Sequence, residues 1–325
     1  MHAWMCHNPV GTDALQWQEV PTPQPGAGQA LVAVKAASLN FPDILIVQNK
    51  YQFKPTPPFV PGSEYAGVVE AVGEGVANVK PGDRVMVIGG TGGFGTHAVV
   101  PAEKLVPMPA AMSFEHGAAF LMTYGTTQHA LLDRGQLQAG ETVLVLGAAG
   151  GVGTAAVQIA KAAGARVIAA ASTDAKCALC KEIGADATIN YSTENIRDAL
   201  KALTNGKGPD VVYDPVGGDL AEPVFRSIAW RGRYLVVGFA GGGIPALPLN
   251  LSLLKGAAIV GVFWGDFVRR EPQAFQRDLQ QLADWYAEGK VTPVMDQTLP
   301  LSDLHAAYAR MAARQVVGKL VLLQP

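Results

Sequence analysis

The chain has 325 residues, 49% of them hydrophobic and 16% charged, so it is an ordered globular protein long enough for two domains. A formal net charge of −2 and the lack of a basic block argue against a nucleic-acid partner. Three cysteines, and an N-terminus without the charged head and apolar stretch of a signal peptide, favour a reduced, cytoplasmic location.

The first part of the chain, to about residue 110, contains short β-like runs separated by Pro and Gly clusters, which predicts a small β-rich domain. A helical stretch, SFEHGAAFLMTYGTTQHALL, follows. Strands and helices then alternate, and the six strands predict a doubly wound parallel sheet. Their apolar runs are VLVLG, ARVIAAAS, ATIN, PDVVYDPVGG, GRYLVVGFAG and AAIVGVFWG. The tail is helical, ends on a strand, and is too short to stand alone, so we expect it to pack onto the first domain.

Residues 143–160, VLVLGAAGGVGTAAVQIA, form an uncharged run close to the length of a membrane span, which needs about 20 residues. Four glycines in its middle would weaken a continuous helix. A buried strand, a glycine turn and a helix explain the run better, and a second strand follows within a βαβ unit. No membrane partner is therefore expected.

The glycine loop between this strand and its helix predicts a dinucleotide site. Glycines there let backbone N–H groups and the positive helix terminus approach a pyrophosphate. The spacing departs from G-x-G-x-x-G, and a turn that only packs helix on strand is the alternative. The candidate cofactor contacts in the loop are Ala149, Gly150, Gly151, Val152 and Gly153.

The end of the second strand bears on the choice of cofactor. An acid there would bind the ribose hydroxyl of NAD, but the chain has Ser172, and Lys176 lies four residues on. These residues suit a 2′-phosphate and predict NADPH. Asp174 is the contrary signal, although an acid is also favoured where the next helix begins. The alternative for Lys176 is an ordinary solvated helix lysine.

Seven motifs in order make the chain resemble the medium-chain dehydrogenase/reductase superfamily, in the zinc-independent quinone oxidoreductase branch that includes zeta-crystallin. They are SLNFPD (38–43), PFVPGSEYAGVVEAVGEGV (58–76), KPGDRV (80–85), GAAGGVG (147–153), INY (189–191), DPVGG (214–218) and GKLVL (318–322). The resemblance implies a GroES-like β-barrel catalytic domain over residues 1–121 and a six-stranded Rossmann domain over 122–264. Residues 265–325 would return to the catalytic domain.

Zinc-dependent relatives in this superfamily carry a cysteine where this chain has Asn40 and a histidine where it has Ser63. Neither residue replaces a thiolate or imidazole as a zinc ligand, so no metal site is expected. The one CxxC, Cys177 and Cys180, supplies only two ligands and is expected to pack in the core or on a partly exposed helix face.

Chemistry without a metal needs an acceptor that is electrophilic by itself, and a donor for its oxygen or carbon. Asn40 and Tyr51 are the polar candidates in SLNFPDILIVQNKY. Quinone reductases carry two tyrosines in this segment, but here the first position is Leu45. In the related enoyl thioester reductases, the tyrosine at the Tyr51 position is the proton donor. Thr126 matches a family threonine near the nicotinamide. The structural alternative for Tyr51 is a partly buried loop aromatic, and that for Thr126 is a helix N-terminal hydroxyl.

Further cofactor contacts are expected from the resemblance and from strand ends. Tyr191 matches a position near the 2′-phosphate, and Lys319 matches a lysine on the cofactor side. Two triplets end the last two strands, at the edge where ligands bind in open α/β sheets. They are Gly238, Phe239 and Ala240, and Phe263, Trp264 and Gly265.

The leading hypothesis is an NADPH-dependent reductase of quinones or small α,β-unsaturated carbonyls. A short-chain enoyl thioester reductase is the rival, supported by Lys50 and Lys54 near a rigid proline segment. A protein that binds NADPH without catalysis, structural or redox-sensing, is the third hypothesis. A homodimer is expected from the resemblance and from GAAIVGVFW, whose apolar residues end the sheet.

Overall fold

The computed structural model describes residues 1–324, which fold into two compact units. The first unit combines Met1–Met122 with the segment that begins at Met295, and the second comprises Thr123–Val294. Each unit has its own cluster of buried apolar side chains. The predicted β-rich domain and the predicted parallel sheet therefore have separate hydrophobic cores.

The chain up to Met122 is mostly β-structure, in which short strands alternate with turns rich in Gly and Pro. The strands are β1 (His2–Met5), β2 (Gln16–Glu19), β3 (Gln29–Ser38), β4 (Glu64–Val72), β5 (Arg84–Ile88), β6 (His97–Pro101) and β7 (Leu105–Pro107). Two short helices, α1 (Phe41–Val47) and α2 (Phe114–Ala118), accompany them. Asn40 caps α1, and its backbone N–H donates to Asp43 Oδ2 at 2.8 Å.

The second unit opens with a helical stretch and continues as a parallel α/β sheet. Two π-helical segments, Leu121–Gly125 and His129–Arg134, flank the short helix α3 (Thr126–Gln128). The strands are β8 (Thr142–Leu146), β9 (Arg166–Ala171), β10 (Ala187–Asn190), β11 (Val211–Asp214), β12 (Arg233–Val236) and β13 (Ala258–Gly261). The helices are α4 (Gly151–Ala162), α5 (Asp174–Glu182), α6 (Ile196–Leu203), α7 (Ala221–Ser227), α8 (Asn250–Lys255), α9 (Trp264–Arg270) and α10 (Pro272–Ala287).

All six strands of this sheet run parallel in the order β10-β9-β8-β11-β12-β13. This is the doubly wound arrangement that the alternating strands and helices predict. The uncharged run at 143–160 divides into β8, a glycine turn and α4, as expected. Among the helices of residues 1–324, none has the length and apolar character needed to cross a membrane.

The chain beyond Met295 completes the first unit. It forms β14 (Met295–Pro300), α11 (Leu304–Ala312) and β15 (Lys319–Leu323). β15 pairs antiparallel with β3, and β14 lies parallel to β15. The resulting seven-stranded sheet has the order β14-β15-β3-β4-β5-β7, and β6 also pairs with β3.

The expected return to the first domain at residue 265 is corrected to Met295, because α9 and α10 pack within the second unit. The indole of Trp264 lies against Gly125, where a Cβ would approach the ring to 2.6 Å, and contacts Phe275 edge-on at 5.8 Å. Gln128 Nε2 also donates to Gln281 Oε1 at 2.7 Å. α9 and α10 therefore pack against the helical stretch around Gly125 and Gln128.

Candidate functional site

The glycine loop follows β8 at the carboxyl edge of the parallel sheet. Gly147 adopts a positive φ of 57°, which favours glycine, and the Ala148 N–H donates to Ala170 of the neighbouring strand. A Cβ on Gly153 would lie 2.3 Å from the Gly147 carbonyl oxygen, so only glycine fits there. The loop is therefore bent tightly back against its own helix.

The first turn of α4 is open to a ligand. Gly150 is the N-cap of this helix, and no side chain caps it. The first N–H groups of an α-helix have no partner within the helix, and the helix dipole adds positive potential there. Gly151, Val152 and Gly153 lie in this turn, with Ala149 and Gly150 just before it, beside the point where β8 and β11 pair and the strand order reverses. Such a position is suited to a pyrophosphate.

The ends of β9 and β10 lie side by side, since these strands are paired. Ser172 follows β9, and its carbonyl accepts a hydrogen bond from the Ser192 hydroxyl at 2.9 Å. Tyr191 follows β10, and its N–H donates to Ala171 at 3.1 Å. The structure therefore brings Ser172 and Tyr191 together at one edge of the sheet, as the candidate 2′-phosphate site requires.

Asp174, the contrary signal in the sequence, is the first residue of α5 and accepts a 2.7 Å hydrogen bond from Asn190 Nδ2. Its carboxylate thus links α5 to the end of β10, and the interpretation as a helix-start acid is confirmed. Lys176 lies in the first turn of the same helix and is partly exposed.

A turn held by Asp214 follows β11, on the other side of the strand-order reversal. Asp214 Oδ1 accepts the N–H groups of Val216 and Gly217, both at 2.8 Å, and Oδ2 accepts the Tyr234 hydroxyl at 2.5 Å. In the sequence, DPVGG supported only the family resemblance, and no role was predicted for Asp214. An acid at the end of a buried strand, before Pro and Gly, was the signal that could have revealed it.

The two triplets after the last strands differ in setting. Gly238 donates to the Asp214 carbonyl and Ala240 to that of Pro215, so this triplet lies beside the Asp214 turn. β13 ends at Gly261, before the second triplet, and Trp264 begins α9. Phe263 is exposed, whereas Trp264 is buried among helices of the second unit. The expected strand end at Phe263–Gly265 is therefore a helix start.

The first unit contains a buried polar network around Asn40. Glu64 is fully buried in β4, and its Oε2 accepts hydrogen bonds from Ser38 Oγ at 2.8 Å and Asn40 Nδ2 at 3.0 Å. Lys319, the first residue of β15, donates from Nζ to Asn40 Oδ1 at 2.5 Å and lies 3.3 Å from Glu64 Oε2. Asn40, a predicted donor to the substrate, and Lys319, a predicted cofactor contact, are thus hydrogen-bonded to each other.

Tyr51 is a partly buried residue that packs against the core of the first unit. Burial, and secondarily the negative charge of Asp43, raise the pKa of its phenol, so the hydroxyl stays protonated at neutral pH. Asp43 is fully buried and accepts the N–H groups of Asn40 and Ser63; burial raises its pKa to about 6. Thr126, the third candidate donor, begins α3 in the second unit.

The family described as alcohol dehydrogenase GroES-like domain matches residues 26–110, and the family described as zinc-binding dehydrogenase matches residues 151–287. A quinone oxidoreductase-like protein 2 homolog of Nematostella vectensis is 38% identical over 98% of this chain and 88% of its own. The chain belongs to the medium-chain dehydrogenase/reductase superfamily, in its quinone oxidoreductase branch.

Solved structures of this branch share the fold over the whole chain. The quinone oxidoreductase of Escherichia coli, complexed with NADPH, is 30% identical with a TM-score of 0.93, covering 99% of this chain and 100% of its own. That of Thermus thermophilus, also solved with NADPH, is 33% identical with a TM-score of 0.87 over 99% and 100%. The expected GroES-like and Rossmann architecture is thereby confirmed.

The matching family is described as zinc-binding, yet this member has Asn40 and Ser63 where zinc-dependent relatives carry a cysteine and a histidine. Across residues 1–324, His, Cys, Asp and Glu form no group of three or more that could hold a metal. Cys177 and Cys180 are buried in α5, as expected, and burial raises the pKa of both thiols, to about 12 for Cys180.

Proposed function

We propose that this protein is an NADPH-dependent reductase of quinones or small α,β-unsaturated carbonyl compounds, acting without a metal. The observation that carries the proposal is the uncapped start of α4, reached through a glycine loop beside the strand-order reversal. Relatives of the same branch are solved with NADPH. A nicotinamide supplies hydride, and the protein contributes binding, orientation and a proton or hydrogen-bond donor.

The residues of the second unit fit a dinucleotide with a 2′-phosphate. The free N–H groups of Gly151, Val152 and Gly153 would hold the pyrophosphate. Ser172, Lys176 and Tyr191 would surround the 2′-phosphate. Asn190 Nδ2 donates to Asp174 Oδ1, but the Asp174 carboxylate keeps its charge, so Lys176 would be the group that offsets it. The triplets 238–240 and 263–265 would lie along the nicotinamide half. These roles support NADPH over NADH.

The acceptor is proposed from the donors that the first unit offers. Asn40 and Ser63 carry no thiolate or imidazole, so the acceptor must be electrophilic without a Lewis acid. A conjugated acceptor meets this condition, because hydride added at its far end moves charge onto an oxygen. Asn40, Tyr51 and Thr126 are the proposed hydrogen-bond donors to that oxygen, and Tyr51 is the proposed proton source for the carbon.

A homodimer is the proposed assembly. β13 is an edge strand of the sheet, and exposed edges tend to pair or to be covered. The neighbouring apolar side chains are exposed to an unusual degree, with Leu249 and Leu253 each at 79%. Trp230, Leu254 and Ile259 are further exposed apolar side chains of the second unit.

One panel tests the activity. NADPH oxidation is measured with a quinone, an alkenal, an enone and an enoyl thioester, each with and without a strong chelator. We expect turnover of the quinone or of the small carbonyls, unaffected by chelation. Turnover of the thioester alone would favour the enoyl thioester reductase. NADPH binding without oxidation by any acceptor would contradict the proposal and support a non-catalytic protein.

A further inference from the structure

Lys319 is buried in the first unit with its ammonium directed at protein acceptors. Only 4% of the residue is exposed. Its Nζ lies 2.5 Å from Asn40 Oδ1, 3.3 Å from Glu64 Oε2 and 3.3 Å from the Leu39 carbonyl oxygen. An ammonium has three N–H groups, and these three acceptors engage all of them. No donor is left for the cofactor, the partner that the family resemblance implied.

The carboxamide of Asn40 is held at both ends by Lys319 and Glu64, which are called the pair below. Lys319 donates to Oδ1, while Nδ2 donates toward Glu64 Oε2 at 3.0 Å and Ser38 Oγ at 3.4 Å. Those two acceptors are themselves 2.8 Å apart, so they lie in similar directions from Nδ2 and one N–H serves both. The second N–H of Nδ2 remains, in an orientation that the pair defines.

Glu64 is itself fixed by the main chain. Its other oxygen, Oε1, accepts the N–H of Met122 at 2.8 Å. Both oxygens of the carboxylate are therefore occupied, and the side chain has no exposed surface. The charges of Glu64 and Lys319 balance each other, which a buried charge requires.

We propose that Lys319 and Glu64 are positioning residues for Asn40, aiming its remaining N–H at the acceptor, and that Lys319 is not a cofactor ligand. This rests on the proposed reductase function, with Asn40 as a hydrogen-bond donor to the developing oxyanion. Donors fixed before the reaction stabilise such charge without reorganisation. The pair would act on the chemical step and leave cofactor binding unaffected.

The test compares the parent with Asn40→Ala, with the pair variant Lys319→Met/Glu64→Gln, and with the triple variant. The pair variant leaves neither buried charge of the pair unmatched. We expect Asn40→Ala and the pair variant each to lower kcat by at least about tenfold. The triple variant should lose no more than the worse of these two, and the NADPH dissociation constant should stay within about twofold. Lys104→Met, an exposed lysine of the first unit, is the control.

Lys319→Arg keeps the charge pair and therefore the fold, but its planar guanidinium does not reproduce the ammonium contacts. It should lower kcat without weakening NADPH binding. Losses that multiply in the triple variant, or an NADPH dissociation constant raised about tenfold in Lys319→Arg, would overturn the positioning role while leaving the reductase intact. If the parent fails to oxidise NADPH with every acceptor of the panel, both proposals are overturned.

Discussion

The hydroxyl of Tyr234 donates to the buried carboxylate of Asp214 at 2.5 Å, across two paired strands of the parallel sheet. The other oxygen of Asp214 holds the Val216 and Gly217 N–H groups. Hydrogen bonds to an ionised acceptor are stronger than those between neutral groups. The shape of the turn beside the proposed cofactor site therefore depends on a phenol in the next strand.

Tyr234→Phe should lower the free energy of unfolding by about 1–3 kcal/mol, because Asp214 stays buried with one donor fewer. Chemical denaturation measures the loss. Tyr213→Phe is the matched comparison, since that buried phenol meets only the neutral hydroxyl of Thr127, at 2.9 Å. Its loss should be smaller. Equal losses in the two variants would show that the carboxylate adds nothing.

Lys176→Ala should raise the KM for NADPH and leave that for NADH nearly unchanged, because the lysine would meet only the 2′-phosphate. Steady-state kinetics with both cofactors measure the effect. Lys181→Ala, in the last turn of the same helix, is the control and should change neither value. Equal losses for NADPH and NADH would refute the assignment.

Tyr51→Phe keeps the ring and removes only the hydroxyl. If this hydroxyl stabilises the transition state, kcat should fall by at least about tenfold, or 1.4 kcal/mol, with NADPH affinity unchanged. The loss should be larger with an enone than with a quinone, which can take its proton from water after hydride transfer. A variant that equals the parent on every acceptor would make the hydroxyl a bystander.

Asp278, on α10, should make stability depend on pH. Burial, and secondarily the Asp133 carboxylate, raise its folded-state pKa to about 6, above the unfolded value of about 3.9. The stability from its protonated form is complete below pH of about 4 and is lost as pH rises through about 6.

Asp278→Asn should therefore raise the free energy of unfolding at pH 8 by about 1 kcal/mol, after a discount for solvent screening at this partly exposed side chain. The gain should vanish below pH of about 4. Denaturation at several pH values measures it, with the exposed Asp219→Asn as control. A gain that does not change with pH would contradict this assignment.

Leu253→Asp should convert the proposed dimer to a monomer, because it adds a charge to the apolar surface beside β13. Light scattering at micromolar concentration measures the mass. Val10→Asp, at a residue of the first unit that is 69% exposed, should leave the dimer intact. A monomeric parent would refute the dimer.

Local sequence pattern was sufficient for the second unit's sheet. Strands buried on both faces are continuous apolar runs, and Gly147 and Gly153 indicate the turn between β8 and α4. The pattern did not reveal where α9 and α10 pack, since an apolar helix face does not specify which core it joins. Nor did it reveal the partner of Lys319, because Glu64 lies 255 residues away and only the folded sheet brings them together.

The pairing of β15 with β3 sets an order for folding during synthesis. Residues 123–294 are contiguous, so every residue of the second unit has been synthesised before the first unit is complete. The first unit must wait for its last strand, and until then Glu64 lacks its counterion. The half of the protein that is translated first is thus the half that is finished last, and a nascent chain stalled before Lys319 would expose an unfinished sheet to chaperones.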